Sequence, residues 1–440
     1  MAIVDGAGAQ YAAGSSFYDE ILRDDYLPMV VDAVINPNEL SHLLAMNRDY
    51  TSVEGKKVVF PAHVGRNPAV GYSNTGGNLP SNSVRQSQQY DQHFFPMRFL
   101  SGRIKIEGIL KHASRSNVAS WLRALDSESS GLASDLARRR QRALHMDGTG
   151  HLAKVTGVAT GSPVGFDTIT VELPDGIENK ATCNSAPTQH ITTDMVVGFV
   201  DPTGPTLRSS PRVVTSVPST TTFVIETGSV GIAVNDVVVT ANEEGADAVL
   251  ADTGYQNEMK GLAALFSDDD IPNGETFYQG VPSTGNSWNQ ANVLDNGGVT
   301  QTLTELLMQE AFDDAMEIGE ANIDVMMGSF NIVREYANLL TADKRYNNTV
   351  SLPGGYEAIT FNNKPFIADR DAYKNRIYFM DLGNIQSFVL ADPQWIDEDG
   401  AILSRLENKY TFQAAMFCME NLGSRVRHKN TLLADLDETT

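Results

Sequence analysis

The densest groups of potential metal ligands are two acidic runs, Asp268, Asp269 and Asp270, and Asp397, Glu398 and Asp399. Ca²⁺ binds several oxygen ligands, so carboxylates this close in sequence could hold it. An EF-hand loop places its ligands at alternating positions, and neither run has that spacing. Solvated loops are the favoured interpretation, and no metal site is predicted.

Histidines are the second group of candidate ligands, because neutral imidazole is a common metal ligand in proteins. His145 and His151 lie on either side of Asp147, while the other histidines are scattered. A satisfied position at the surface or in an interface is the favoured interpretation over a metal site.

Motifs that bind phosphate, activate a serine or hold catalytic zinc are absent from the sequence. It contains no P-loop, no GxGxxG that opens a helix after a strand, no GxSxG and no HExxH. We therefore predict a protein that is not an enzyme and that has no cofactor.

The charge balance argues against tight nucleic-acid binding. The 440 residues include 33 Lys and Arg against 55 Asp and Glu, a formal net charge of −22. Nucleic-acid binding needs clustered cations that displace counterions from phosphates. One basic run exists, at Arg138, Arg139, Arg140 and Arg142. A helix C-terminus and carboxylates on a neighbour explain this run better than DNA does.

Compartment and membrane association are predicted from what the sequence lacks. Cys183 and Cys418 lie far apart, which favours neither a disulfide framework nor a metal site. No apolar run approaches the roughly 18 residues of a membrane helix, and the N-terminus lacks the pattern of a signal peptide. The sequence predicts a protein made in a reducing compartment without membrane association.

A long amphipathic helix is predicted over residues 116–144. Apolar or small residues recur there at steps of three and four, the repeat of one helix face. Ser116 is a suitable N-cap, and Gly148, Thr149 and Gly150 end the pattern. Such a helix would extend about 43 Å, which is typical of a strut beneath a thin plate.

Two predicted strands, residues 56–64 and 94–107, frame a polar tract over residues 65–93. Loops beyond about 12–15 residues are uncommon in compact domains unless they are functional or disordered. We expect a long two-stranded flap that lies on a partner, with a disordered surface loop as the alternative. Its candidate contact residues are Arg66, Arg85, Asp91, Phe94 and Phe95, since arginine and aromatic side chains dominate interfaces.

Residues 151–257 differ in composition from both flanks. Short runs rich in Val, Thr and Ile alternate there with Pro and Gly, at residues 168–173, 195–200, 212–217, 221–226 and 236–240. This spacing predicts a small all-β sandwich or barrel that forms a separate domain.

Before and after these segments, the sequence predicts mixed helices and strands. A short helix begins at Asn36 with Leu40, Leu43 and Leu44 on one face, in a segment expected to pack on something else. Thr302 with Glu305 forms a capping box for a helix that ends at Gly319. Further elements are a strand at 323–327, a helix at 329–340, a hairpin turning at Asn362 and Asn363, and strands at 376–382 and 410–419.

This order of elements, with several short motifs, resembles the major capsid proteins of tailed bacteriophages, which have the HK97-like fold. Asp147-Gly148-Thr149-Gly150 is similar to the turn that ends the spine helix of that family. Lys260-Gly261-Leu262 is similar to the step by which the chain enters the central sheet. The run 275–280 and Trp288-Asn289 also match, and the order of these motifs makes the case.

The resemblance implies an α+β fold and a division into domains. Residues 1–50 would be an N-terminal arm, 51–111 the extended loop, 112–150 the spine helix of a peripheral domain and 151–257 an inserted β-rich domain. Residues 258–295 would return to the peripheral domain, 296–405 would form the axial domain, and 406–440 the C-terminal strand and tail.

The resemblance also implies function and partners. Subunits would assemble into hexamers and pentamers of an icosahedral virion shell, built in the host cytoplasm, that encloses double-stranded DNA without sequence-specific binding. Partners would be further copies, a portal protein, a separate scaffolding protein and, as a further candidate, a decoration protein. Contact candidates include the helix arginines Arg138, Arg139 and Arg142. An encapsulin-like compartment shell and a carbohydrate-active or adhesive protein are the alternatives, and packaged DNA would distinguish the phage shell.

Overall fold

The computed structural model describes residues 40, 43–44, 48–49, 57–72, 87–107, 124–177, 179–226, 231–241, 250, 253–268, 280–281, 283, 286–342, 349–351, 357–397, 404–405 and 410–438. The described residues fall into two compact units. The first lies within Gly102–Asp135 and Trp395–Ala415, and the second within Pro37–Ser101, Leu136–Gln394 and Met416–Thr440.

Four α-helices and twenty strands make up most of the regular structure of the described residues. The helices are α1 (Ala124–His145), α2 (Leu262–Leu265), α3 (Glu305–Glu317) and α4 (Phe330–Ala342). The strands are β1 (Arg48–Asp49), β2 (Lys57–Gly65), β3 (Gln89–Pro96), β4 (Arg98–Glu107), β5 (His151–Ala159), β6 (Phe166–Glu172), β7 (Val196–Asp201), β8 (Thr206–Ser216), β9 (Thr222–Glu226), β10 (Val237–Thr240), β11 (Asn292–Leu294), β12 (Val325–Gly328), β13 (Thr349–Ser351), β14 (Glu357–Phe361), β15 (Lys364–Ala368), β16 (Ile377–Met380), β17 (Ile385–Trp395), β18 (Ser404–Arg405), β19 (Thr411–Ser424) and β20 (Thr431–Leu433).

The first unit has a small apolar cluster of its own. Buried Ile104 and Ala414 pack there with half-buried Leu132 and Trp395. Gly102 makes room for this packing, because a Cβ at Gly102 would lie 2.5 Å from Leu132 Cδ1. In the same unit β18 pairs antiparallel with the start of β19.

The long helix α1 ends in the glycine turn that the sequence predicts. Gly148 and Gly150 have φ of 85° and 76°, a region that L side chains rarely adopt. A Cβ at Gly150 would lie 2.0 Å from the carbonyl oxygen of Gly254. The backbone therefore requires glycine there. Within the described chain α1 starts at Ala124, and residues 116–123 of the predicted helix lie outside the described residues.

Strands β5 to β10 form a closed barrel in the order β10-β5-β6-β9-β8-β7. Closure is made by β10, in which Val238 is opposite Ala153 on one side and Phe199 on the other. Alternate side chains fill the interior, where the rings of Phe199 and Phe223 stack at 6.4 Å. Each of the five predicted runs overlaps one of the strands β6 to β10, whereas β5 was not predicted from the sequence.

A seven-stranded sheet, in the order β11-β20-β16-β12-β15-β14-β13, is covered on both faces. In β12, Val325 and Met327 belong to one apolar cluster, and Met326 belongs to another beneath α3 and α4. Burial on both faces explains why the strand reads as a continuous apolar run. Leu40, Leu43 and Leu44 belong to the first cluster, so these leucines pack into the core of their own unit.

The cap of α3 differs from the prediction. The structure places Thr304, not Thr302, at the N-cap, where its hydroxyl accepts a hydrogen bond from the Leu307 backbone N–H. Buried Leu303 and Met308 lie in one cluster on either side of this cap. Leu303 at N′ and Met308 at N4 have the spacing of a hydrophobic staple, which fixes the helix start two residues later than predicted.

The hairpin between β14 and β15 turns at the predicted pair. Asn362 and Asn363 have φ of 48° and 65°. Positive φ at both central residues is the requirement of a type I′ turn, which asparagine tolerates well.

The buried carboxylate of Asp435 connects the loop between β6 and β7 to the segment between β11 and α3. It accepts hydrogen bonds from Thr182 Oγ1 at 2.6 Å and from the backbone N–H groups of Asn296 at 3.0 Å and Gly298 at 2.9 Å. Asn179 Nδ2 also donates to it at 3.3 Å, so four donors on two segments satisfy a carboxylate that has no solvent exposure.

Candidate assembly surface

β2 and β3 form an antiparallel two-stranded sheet, here called the ribbon. Directly opposed residues share a face of such a pair. Val58 is opposite Phe95, and Val59 is opposite Phe94. Neighbouring aromatic residues in β3 therefore point to opposite faces.

The inner face of the ribbon is fixed to its own chain at the base. Phe95 is fully buried and lies with Val58 in a cluster against Phe388, the two phenyl rings being 5.0 Å apart. His93, also buried, meets the Trp288 ring edge to face at 5.4 Å. An isolated two-stranded sheet is marginal in water, so these contacts are what hold the ribbon.

The outer face of the ribbon presents apolar and aromatic side chains to solvent. Val59 is 46%, Tyr90 64% and Phe94 37% exposed. The Lys57 ammonium lies 5.0 Å from the centre of the Phe94 ring, and the His63 ring lies 5.2 Å from that of Tyr90. Rigid aromatic side chains in a row are the usual anchors of protein interfaces.

Two glycines allow the base of the ribbon to approach its support. A Cβ at Gly423 would lie 2.1 Å from Phe95 Cε1, and one at Gly280 would lie 1.9 Å from Phe94 Cε1. Any larger residue at Gly423 would push the Phe95 ring out of its cluster. The orientation of the ribbon therefore depends on residues far from it in sequence.

The basic run of α1 borders a cleft of about 480 Å³ whose lining includes Arg98, Arg139 and Phe99. Arg140 pairs with Glu420 through two nitrogens, one of them at 2.9 Å, and Arg142 pairs with Glu258. Carboxylates of the same chain thus neutralise these two arginines, which removes them as cations for DNA.

The predicted contact residues occupy different environments. Arg66, Asp91 and Phe94 are exposed, and Arg138 and Arg139 are half-buried. Phe95 and Arg142 are buried within their own chain. Arg85 lies outside the described residues. Tyr90 was not predicted as a contact because residues 65–93 were assigned to a polar loop, whereas β3 begins at Gln89. Val59 lies in a predicted strand, but its exposure could not be read from the sequence. The alternation of Tyr90, Gln92 and Phe94 was the signal that could have revealed this face.

The predicted strand 94–107 is two strands separated at Met97. Pro96 is the last β3 residue paired with β2. It has no backbone N–H to continue a ladder, so the pairing ends there and β4 starts a new one.

The prediction of a surface or interface position for His145 and His151 is wrong. His145 is fully buried, His151 is 1% exposed and Asp147 is 6% exposed. The turn after α1 folds into the base of the barrel, where the His151 ring stacks on that of Tyr255 at 5.4 Å. Burial lowers the pKa of His151, although Asp147 acts in the opposite direction.

The part of the chain that the structure describes holds neither a cluster of metal ligands nor a membrane-spanning helix. No group of three His, Cys, Asp or Glu side chains there could hold a metal ion. Of the acidic runs, the described residues Asp268 and Asp397 are exposed. No described helix has the length and apolarity to cross a membrane.

No protein-family model matches the sequence, and no curated protein matches it. Among solved structures, the capsid asymmetric unit of cyanophage A-1(L) is similar, with a TM-score of 0.59 at 10% identity over 96% of this chain and 99% of that chain. A structure of Gordonia phage Cozz has a TM-score of 0.45 at 10% identity over 99% and 98% of the two chains. The holo-SrpI encapsulin complex from Synechococcus elongatus PCC 7942 has a TM-score of 0.45 at 9% identity over 98% of each chain.

The likeness to the cyanophage capsid extends over nearly the whole length of both chains. The chain therefore has the α+β capsid fold of the HK97-like type. The mixed α+β capsid fold that the sequence resemblance predicted is confirmed at this level.

Proposed function

We propose that this chain is a major capsid protein. It would be a structural subunit without catalytic activity that assembles into hexamers and pentamers of an icosahedral shell around the double-stranded DNA of a tailed phage. The fold likeness to a phage capsid protein supports a shell subunit.

The outer face of the ribbon is the observation that carries this proposal. Three side chains on this face, Val59, Tyr90 and Phe94, are exposed to solvent. The base of the ribbon is fixed by the buried Phe95. Exposed apolar side chains on a rigid support are stabilised when a second copy of the chain covers them. Association between copies accounts for this surface more directly than an isolated monomer does.

The proposed contact set follows from exposure. Phe94, Asp91 and Arg66 are exposed on or beside the ribbon, and we retain them as inter-subunit contacts together with Arg138 and Arg139. Arg85 also stays a proposed contact. Phe95 and Arg142 are buried in their own chain and would act as supports for the contact surface.

Organisation and partners are proposed on the same basis. The arm, extended loop, spine, inserted β-domain, peripheral and axial domains keep the bounds given by the resemblance. A portal protein, a separate scaffolding protein and a decoration protein are further proposed partners. The subunit would assemble in the host cytoplasm and remain in the virion.

The test compares the full chain with a double variant, Val59→Ser with Tyr90→Ser, and with a control, Val164→Ser. Val164 is 93% exposed at a barrel turn and lies away from the ribbon in sequence. Sedimentation velocity and negative-stain electron microscopy should show rings or closed shells for wild type and control. The double variant should stay in small species with an unchanged thermal melt, because both side chains leave the core untouched.

Two outcomes would contradict the proposal. A wild-type chain that stays monomeric at high concentration would not be a self-assembling shell subunit. Normal particles from the double variant would remove the ribbon face from assembly. Particles purified from the natural source that contain protein cargo and no DNA would favour the encapsulin alternative.

A further inference from the structure

His190 is a half-buried histidine whose Nε2 is shielded from solvent, and the proposed assembly surface does not use it. It lies in the loop between β6 and β7, on the side of the barrel that meets residues 369–373 after β15. Its ring stands edge to face with that of Tyr373 at 6.5 Å. Beside this contact the Gln189 side chain donates a hydrogen bond to the Arg370 carbonyl oxygen at 3.3 Å.

Two arginines act electrostatically on His190, Arg142 from α1 and Arg370 from the 369–373 loop. The carboxylates nearby have other partners: Glu258 pairs with Arg142, Asp371 with Arg370 at 3.1 Å, and Asp369 lies 3.5 Å from His145. Within the described part of the chain, His190 Nε2 has no hydrogen-bond partner. A proton added there would be buried without a counter-charge.

We propose that His190 is an acid-sensitive latch between the barrel and the 369–373 loop, closed while its imidazole is neutral and opened when that imidazole is protonated. In the closed form the neutral ring packs as an apolar group against Tyr373. In the open form water hydrates the imidazolium and separates it from Arg142 and Arg370. The barrel strands keep their own closed hydrogen-bonded cycle throughout.

The direction of the pH dependence follows from proton linkage. Desolvation first, and then the charges of Arg142 and Arg370, lower the pKa of His190 from 6.5 to about 3 in the closed form. An opened, hydrated His190 regains a pKa near 6.5. The open form therefore binds more protons, and closure weakens as the pH falls below about 6.5. Between pH 7.5 and pH 5 the opening constant should rise roughly 30-fold.

Hydrogen–deuterium exchange of the full chain tests this latch. Peptides that cover residues 187–191 and 369–375 should lose protection roughly 30-fold at pH 5 relative to pH 7.5, after correction for intrinsic exchange rates. Peptides from the barrel strands β6 and β9 should keep theirs. His190→Gln, which cannot be protonated, should abolish the acid response. His428→Gln, at another half-buried histidine that lies outside both loops, is the matched control and should preserve it.

Three results would overturn the latch. These are equal protection of the two loops in the wild-type chain at both pH values, an acid response that persists in His190→Gln, and simultaneous loss of protection in the barrel strands. The wild-type comparison alone decides the matter if His190→Gln fails to fold. The experiment works on the unassembled chain, so its outcome is separate from that of the shell proposal.

Discussion

Phe94 and Phe95 are adjacent in β3, and their truncation should have different consequences. Phe95→Ala removes a fully buried ring between Val58 and Phe388. Truncation of a buried phenylalanine costs about 3–5 kcal/mol of folding free energy. The melting temperature of the subunit should therefore fall clearly, and the ribbon should lose its base.

Phe94→Ala acts mainly on association. Phe94 is 37% exposed, so a partner could cover about 75 Å² of a side chain of roughly 200 Å². At about 25 cal/mol per Å² this area contributes about 2 kcal/mol, which corresponds to a roughly 30-fold higher concentration for assembly. Phe94 also loses its contacts with Lys57 and Gly280, so a melting shift smaller than that of Phe95→Ala is expected.

Differential scanning calorimetry of dilute subunit and light scattering against concentration measure the two effects separately. If Phe94→Ala lowers the melting temperature as much as Phe95→Ala and leaves the assembly concentration unchanged, the assignment of the two faces is wrong. Tyr72→Ala, at another exposed aromatic residue, tests whether any aromatic truncation near the ribbon has the same effect.

Three further predictions concern the cap of α3, the buried carboxylate and the barrel. Thr304→Ala should cost about 1 kcal/mol in chemical denaturation by removing the cap of α3, whereas Thr302→Ala should cost less. Asp435→Ala should cost about 2–4 kcal/mol because it leaves buried donors without an acceptor, and Asp435→Asn should cost less; equal melts for wild type and Asp435→Ala would contradict this. Residues 151–257 alone should give β-type circular dichroism and a cooperative melt, because the barrel closes on itself; a random-coil spectrum would refute independent folding.

Deletion of residues 68–88 in favour of a short Gly/Ser linker gives a complementary test of the ribbon. This tract is rich in Gly, Ser, Asn and Gln and offers little apolar surface to a core, so we expect the thermal melt to change little while shell formation fails. Normal shells by electron microscopy would support the alternative of a disordered surface loop.

Local chemistry explains the parts of this chain that its sequence predicted well. Gly148 and Gly150 stop a helix because their φ values exclude other residues. Asn362 and Asn363 specify a tight hairpin for the same kind of reason. Short runs rich in Val, Thr and Ile between Pro and Gly identified five barrel strands, since β-branched residues fit a half-buried strand and Pro and Gly interrupt it. Each of these signals acts over a few residues.

Long-range pairing accounts for what the sequence analysis missed. The partner of Arg140 is Glu420, and no local pattern connects these two positions. Adjacent phenylalanines offer equal apolar surface, so only the docking of Phe95 against Phe388 decides which one faces solvent. His145 and His151, which were predicted to lie at the surface or in an interface, are likewise buried at the base of the barrel.

The sequence by itself determined where turns fall, where helices stop and which runs alternate, because steric limits on φ and the periods of helix and strand act within a few residues. Only the tertiary structure decided which face of the ribbon is covered and which charges are neutralised. The covered face and the neutralised charges both depend on which distant segments come into contact. Apolar area is buried and polar groups are desolvated only once those segments are in contact.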